Sequence, residues 1–456
     1  MTFNRPLDGV VLPSSLRSLT FGGWFNQPIA GVKLPESLRC LIFGREFNQP
    51  LEGIQWPQGL RSLILSADWT GDWNQSVERL QLPDSLTELN LGGCTKPLNW
   101  PRPPQGVKWL TLSDWWNHPS SQLRLPPALT AFTLPSNFNQ PLDDFELPAT
   151  LRSLTLNDGL RQQLSTAHLP AGLTGLDLGG CSAALDGCVL PPSLTELRAG
   201  SRWAAAGLLP QSLRSLMLKR DSPGDEWLLP LAQVDLPPRL QHLTLTGVGA
   251  KPLAALRLPA RLTALDIDMC SGALDGVVWP PALTELRADS RFAAAGLLPE
   301  SLRTLTLHPD SYPDFRGEWL LPLAEMDLPA RLQRLTLIDA GSQSLAALRL
   351  PPSLTALALE GNFTAPLADW NPPASLREFW LSNNWNLPIS QLRLPPRLEV
   401  LAFGYSFDQP VDDLVLPPTL TELHLGHGEF RFRRLISGLL RPGGLRVLSR
   451  PKPPRQ

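Results

Sequence analysis

Apolar residues recur in one arrangement along most of the chain. A Leu-Pro pair is followed three residues after the proline by a leucine, and three further on by a second leucine. The next alternate position holds Leu, Ile or Phe. Examples are LPSSLRSLTF at Leu12 to Phe21 and LPATLRSLTL at Leu147 to Leu156. The Leu-x-Leu ending alternates inward and outward, which predicts a short strand with one buried face. The residue between the two leucines is threonine at 20, 111, 133, 155, 244, 306 and 336. A β-branched side chain there suits a parallel ladder in which equivalent residues stack about 4.8 Å apart. The proline has no N–H to donate, so it must lie outside the strand and set the chain's entry into it.

Aligned on these prolines, twenty units run from Pro13 to Pro442, with 22 residues the commonest spacing. That is too short for a strand, an α-helix and two turns. The return segments, such as Gln27 to Lys33, carry proline and show no 3.6-residue period. The predicted fold is therefore a β-rich solenoid of about twenty turns over residues 1–428. It has one parallel β-sheet on one face and extended or 3-10 segments on the other. Residues 429–456 form a separate basic cap and tail. Leu185 to Leu216 returns almost unchanged as Leu274 to Leu305, an offset of 89, so a four-unit block over about 177–265 is duplicated at 266–357.

Three units read LTELNLGGC, LTGLDLGGC and LTALDIDMC, ending at Cys94, Cys181 and Cys270. This resembles the leucine-rich-repeat core, L-x-x-L-x-L followed by Asn or Cys. A second element, FNQP at Phe25 and Phe47 and again at Phe138, has relatives at Phe3, Trp116 and Trp385 and weaker ones at Phe363 and Phe407. It is similar to the FNIP repeat, a 22-residue relative of the leucine-rich repeats, and the resemblance runs along essentially the whole chain. It implies a leucine-rich-repeat-like fold and structural roles for Asn26, Asn48, Asn139, Cys94, Cys181 and Cys270. The aromatic should fill the core at the turn out of the sheet. The asparagine should be largely buried and satisfy backbone groups of successive turns, as the leucine-rich-repeat Asn or Cys does.

The 49 prolines would suggest disorder if they clustered, but they recur at intervals among abundant leucines. A formal net charge of −2 provides no field to steer nucleic acid or an anionic membrane. The exception is 429–456, where eight basic residues face one acid and a helical spacing of apolar residues from Phe432 to Leu440 predicts a cap, with Leu445 and Leu448 in a final strand. Five dispersed cysteines fit neither a disulfide framework nor a zinc spacing, so an intracellular, reducing and cytoplasmic setting is expected. Neither a secretory leader nor a run of 18 apolar residues is present. The chain starts inside a unit, at TFNRPLDG. The alternatives are an open end or an upstream segment, such as the F-box that the resemblance implies for some members.

No phosphate loop, nucleophile elbow or metal-ligand set stands out, and His424 and His427 lack two further ligands nearby. The expectation is a non-enzyme without cofactors. Function should instead lie on the sheet face, whose outward columns are mostly Ser, Thr, Ala or Gly. They turn charged at Asp177, Glu196 and Arg198, and again at Asp266, Asp268, Glu285, Arg287 and Asp289. Adjacent strands place Asp177 beside Arg198 and Asp266 beside Arg287, either as simple ion pairs or as a duplicated recognition patch. Trp380 is the aromatic of the central column and a candidate anchor. Three insertions, Ala67 to Trp73, Lys219 to Trp227 and His308 to Trp319, follow strands and offer a second surface. The expected role is a protein-interaction scaffold. The alternative is a substrate-recognition subunit for ubiquitin transfer. Small-molecule substrates, membranes and nucleic acid are not expected as partners.

Overall fold

The computed structural model describes residues 3–66, 73–141, 146–156, 169–179, 189–204, 208–220, 227, 230–249, 251–270, 276–294, 296–309, 319, 321–367, 369–389, 392–410, 414–425 and 445–449. It divides into two compact units, Met1–Leu229 and Pro230–Gln456. The division falls inside the first duplicated copy, whereas the repeat pattern predicts one uninterrupted array over 1–428.

In the first unit ten strands follow one another: β1 (Ser18–Thr20), β2 (Cys40–Ile42), β3 (Ser62–Ile64), β4 (Glu88–Leu91), β5 (Trp109–Leu112), β6 (Ala131–Thr133), β7 (Ser153–Thr155), β8 (Gly175–Asp177), β9 (Glu196–Gly200) and β10 (Ser215–Lys219). The second unit holds β11 (His242–Gly249), β12 (Ala264–Cys270), β13 (Glu285–Asp289), β14 (Thr304–His308), β15 (Arg334–Ile338), β16 (Ala356–Glu360), β17 (Glu378–Trp380), β18 (Val400–Ala402), β19 (Glu422–Leu425) and β20 (Arg446–Ser449). Within each unit every strand pairs in parallel with the next, and equivalent residues face one another. Leu41 stands opposite Leu63, and Leu286 opposite Leu305. The inward leucines Leu41, Leu63, Leu305 and Leu357 are completely buried, as alternation predicts.

The spacing P-x-x-L has a simple origin. The leucine N–H donates to the carbonyl of the proline three residues earlier, for example Leu38 to Pro35 at 2.9 Å and Leu240 to Pro237 at 3.1 Å. The proline thus opens a β-turn, where its missing N–H costs nothing. A second such turn ends on the aromatic, with Phe25 N–H donating to Gly22 O and Phe47 N–H to Gly44 O. A third lies in the return segment, where Val10 N–H donates to Leu7 O across Gly9, whose φ of 76° favours glycine. Turns and extended links therefore replace a helix. Several return segments tighten further into single 3-10 turns, as at Ser120–Gln122, Leu253–Ala255 and Leu345–Ala347. No helix among the described residues is long and apolar enough to cross a membrane. The expected C-terminal cap and the three insertion loops, apart from their ends, lie outside the described residues.

Candidate interaction face

Each coil presents two surfaces with different chemistry, a wall of repeated motif residues and an outward sheet face. In the wall the motif aromatics Phe25, Phe47 and Phe138 are fully buried. They stack on their counterparts in neighbouring coils: Phe25 on Phe47 at 6.3 Å and 7°, Trp116 on Phe138 at 5.8 Å and 10°. Where tryptophan takes the position, its indole N–H finds a carbonyl on the preceding coil. Trp73 donates to Gln49 O, Trp116 to Lys96 O and Trp385 to Ala365 O.

The asparagines form a ladder, and the glutamines share it. Asn26 Oδ1 accepts from Asn48 N–H at 3.0 Å and from Gln49 Nε2 at 2.9 Å. Asn48 Oδ1 accepts in the same way from Asn74 N–H and Gln75 Nε2, Asn117 from Asn139 and Gln140, and Asn386 from Asp408 and Gln409. Asn26, Asn48 and Asn139 are partly buried, neither sealed from water nor exposed. Their carboxamides lie along the wall between coils, so one edge stays wet. The WNQ at Trp73 to Gln75 belongs to the ladder, but the insertion before it breaks the spacing that would reveal it.

Cys94 corrects one equivalence. Its N–H closes the turn onto Leu91 O, while Thr95 N–H donates to Asn74 Oδ1. The cysteine therefore occupies the place of the aromatic, and the residue after it occupies the place of the asparagine. Cys94 Sγ lies 3.6 Å from Gln75 O, and burial pushes its thiol up from 9.0 to about 11. An unfolded chain would ionise this thiol above about 9, while the folded one keeps its proton. Stability should therefore fall as pH rises from about 9 to about 11, by on the order of 2 kcal/mol. Chemical denaturation across that range checks this, and Cys94→Ala should show the smaller loss. Cys270 is likewise buried, and Cys181 lies outside the described residues.

On the sheet face the register places Asp177 of β8 opposite Arg198 of β9, and Asp266 of β12 opposite Arg287 of β13. The Arg198–Asp177 and Arg287–Asp266 contacts are 3.6 and 3.8 Å, and both arginine side chains are about half exposed. Burial raises the Asp266 carboxyl above its ordinary value, and the Arg287 guanidinium opposes that shift. Glu196 and Glu285 are exposed on the same face.

Asp289 departs from expectation. It is buried, and its Oδ1 accepts from Arg291 N–H as the N-cap of the 3-10 turn Ser290–Ala293. The strand ends there and the chain turns inward, so this carboxylate is not on the open face. Trp380 is half-buried. Its ring reaches past Ala402, its partner on β18, to lie 5.0 Å from the His424 ring on β19. His424 Nε2 stands 3.6 Å from Glu422 Oε2. Among the described residues no group of three or more His, Cys, Asp or Glu is placed to hold a metal ion, and His427 lies outside them. The more exposed aromatics, missed in the sequence, are Trp109 on β5 (52%), Trp115 (71%) and Trp24 (59%). Trp109 precedes an inward leucine, so the column that exposes Glu196 should have exposed it too.

The FNIP-repeat family model matches residues 3–32, 25–68, 138–181 and 385–428. The chain carries FNIP repeats at these four places. The matched stretches carry part of the aromatic-Asn-Gln ladder, which also runs through Asn74 and Asn117 in the unmatched 69–137; 182–384 is unmatched as well, so the signature covers less of the chain than its resemblance suggests. No curated protein sequence matches. Among solved structures, CroV588, described as a novel circular LRR protein, is similar at 25% identity with a TM-score of 0.56. The match covers 98% of this chain and 78% of that one. A leucine-rich repeat protein from Bacteroides ovatus aligns at 12% identity and TM-score 0.17, over 86% of this chain and 88% of that one. The charged face residues of β9, β12 and β13 fall outside the matched stretches, whereas Asp177 of β8 lies inside one.

Proposed function

We propose that this chain is a protein-interaction scaffold that binds through its outward sheet face. The observation that carries this reading is the pair of half-exposed arginines, Arg198 and Arg287, each on a strand that also exposes a glutamate, Glu196 or Glu285. Exposed ion pairs of this kind contribute about 0–1 kcal/mol to stability, so folding gains little from them. Aromatic and arginine side chains on an open surface are the groups that anchor protein partners, and Trp109 adds an exposed aromatic in the first unit. The ubiquitin-transfer alternative rests on the family resemblance alone.

The test combines Arg198→Glu with Arg287→Glu. Affinity capture of a partner should drop at least tenfold, while the melting temperature shifts by no more than about 3 °C. Unchanged capture, or capture and stability falling together, would count against the reading.

A further inference from the structure

The duplicated copies differ at three face positions that lie close together. Gly179, Gly200 and Lys219 of the first copy become Asp268, Asp289 and His308 in the second. These changes leave the second copy three charges more negative with histidine neutral. Asp289 is already committed to Arg291, whose Nε and Nη2 donate to its two oxygens at 3.2 and 3.0 Å. Arg291 Nη2 also donates to Cys270 O. The rest of the cluster is less satisfied.

His308, at the end of β14, is 7% exposed although it stands in an outward column. Its Nδ1 lies 3.0 Å from Pro309 O. A carbonyl can only accept, so Nδ1 carries a proton and, in the neutral ring, Nε2 is left as a bare acceptor. Among the described residues Nε2 has no hydrogen-bond partner, and it lies 4.0 Å from Asp268 Oδ1, beyond hydrogen-bonding range. Asp266 Oδ1 is a second buried acceptor without a hydrogen bond; Arg287 Nε approaches it only to 3.8 Å. Asp268, Glu285 and Arg287 thus all lie close enough to Asp266 to act on its charge, beside a buried imidazole acceptor.

We propose that Asp266, Asp268 and His308 receive a primary ammonium group, the side chain of a lysine on a protein partner. This rests on the sheet face being the interaction surface and names the chemistry that part of it recognises. An ammonium offers three donors that point to three separate acceptors. A guanidinium instead presents a planar fork matched to the two oxygens of one carboxylate. A gap of 4.0 Å between Nε2 and Oδ1 admits one donor nitrogen hydrogen-bonded to both. No metal-binding constellation exists among the described residues. In the first copy Lys219 stands where His308 does and Gly179 where Asp268 does, so the set of acceptors belongs to the second copy alone.

The probe is N-acetyl-lysine methylamide, titrated into the full 15N-labelled chain while the imidazole signal of His308 is followed by NMR. His308→Lys assigns that signal and installs the residue that the first copy carries in the same strand position. A saturable shift with a Kd on the order of 1 mM is expected. Asp268→Asn should weaken it at least fivefold, and the norleucine analogue, which lacks the charge, should give no shift. Absence of a saturable shift, an equal response to norleucine, or indifference to Asp268→Asn would overturn the proposal. Spermidine binding more than tenfold tighter than the lysine probe would assign the site to free polyamines and overturn the protein source. Because the probe needs no partner, its result is independent of the capture experiment on Arg198 and Arg287.

Discussion

Replacing Gly404 by alanine should cost several kcal/mol and strip amide-exchange protection from the coil that contains it. Gly404 follows the strand β18, and a Cβ built on it would overlap the carbonyl oxygen of Ser382 and the Cα of Asn383. Those atoms are backbone, so no side chain can swing aside. The conflict must be relieved by separating the two coils. That separation would also strain the turn closed by Phe407 N–H on Gly404 O and the stack of Phe403 on Phe407 at 4.2 Å. Mutations that force such backbone shifts in a packed region cost about 1–3 kcal/mol, and more when nothing can yield. Gly31 serves as the control, because a Cβ there meets nothing within 4 Å. Gly31→Ala should leave exchange almost unchanged.

The second large effect concerns the ladder. Asn48 Oδ1 receives two donors from the following coil, the Asn74 amide at 3.0 Å and Gln75 Nε2 at 2.8 Å. Asn48→Leu removes the acceptor while retaining a side chain of similar size. Each donor left without a partner away from water costs about 1–3 kcal/mol. Gln75 Nε2 keeps the Asn48 carbonyl as an acceptor at 3.1 Å, so the loss falls mainly on the Asn74 amide and is expected to be about 1–3 kcal/mol. Asn48→Asp keeps an acceptor oxygen at the same place and should retain most of the stability.

Much of this organisation was legible in the amino-acid sequence, because a repeat states its rules many times. The Leu-x-Leu pairs fixed the strands, and residues such as Asp177 and Arg198 could be paired by counting along successive units. Phe25 and Phe47 could be placed in the core because they follow the strand at a constant distance. What stayed hidden depends on local geometry. The partnership of Gln49 with Asn26 runs between coils, 23 residues apart in the chain, and a glutamine followed by proline looks like any turn residue. Asp289 sits at an outward position by count, but the strand ends there and the chain turns into a 3-10 segment, which draws the carboxylate inward. Trp380 reads as an exposed anchor until the small size of Ala402 is seen to let it lean towards His424. The burial of His308 could not be foreseen either, since its column alternates outward.

These differences separate two kinds of position. Where the motif repeats without change, as in the ladder from Asn4 to Asn74, side chains are used to join one coil to the next. Where it breaks, as on β9, β12 and β13, charged groups such as Arg198, Glu285 and Arg287 stand on the sheet face. The claim that the repeated asparagine is a structural tie is therefore the one on which the assignment of the face depends.

Native-state hydrogen exchange at the Asn74 amide tests that claim most directly, because its acceptor is the Asn48 side chain itself. In Asn48→Leu the Asn74 amide should exchange at least tenfold faster than in the wild type. In Asn48→Asp it should stay close to the wild-type rate, and the Leu38 amide, which donates to Pro35 O, should be unaffected by either change. Equal exchange at Asn74 in Asn48→Leu and the wild type would contradict the account.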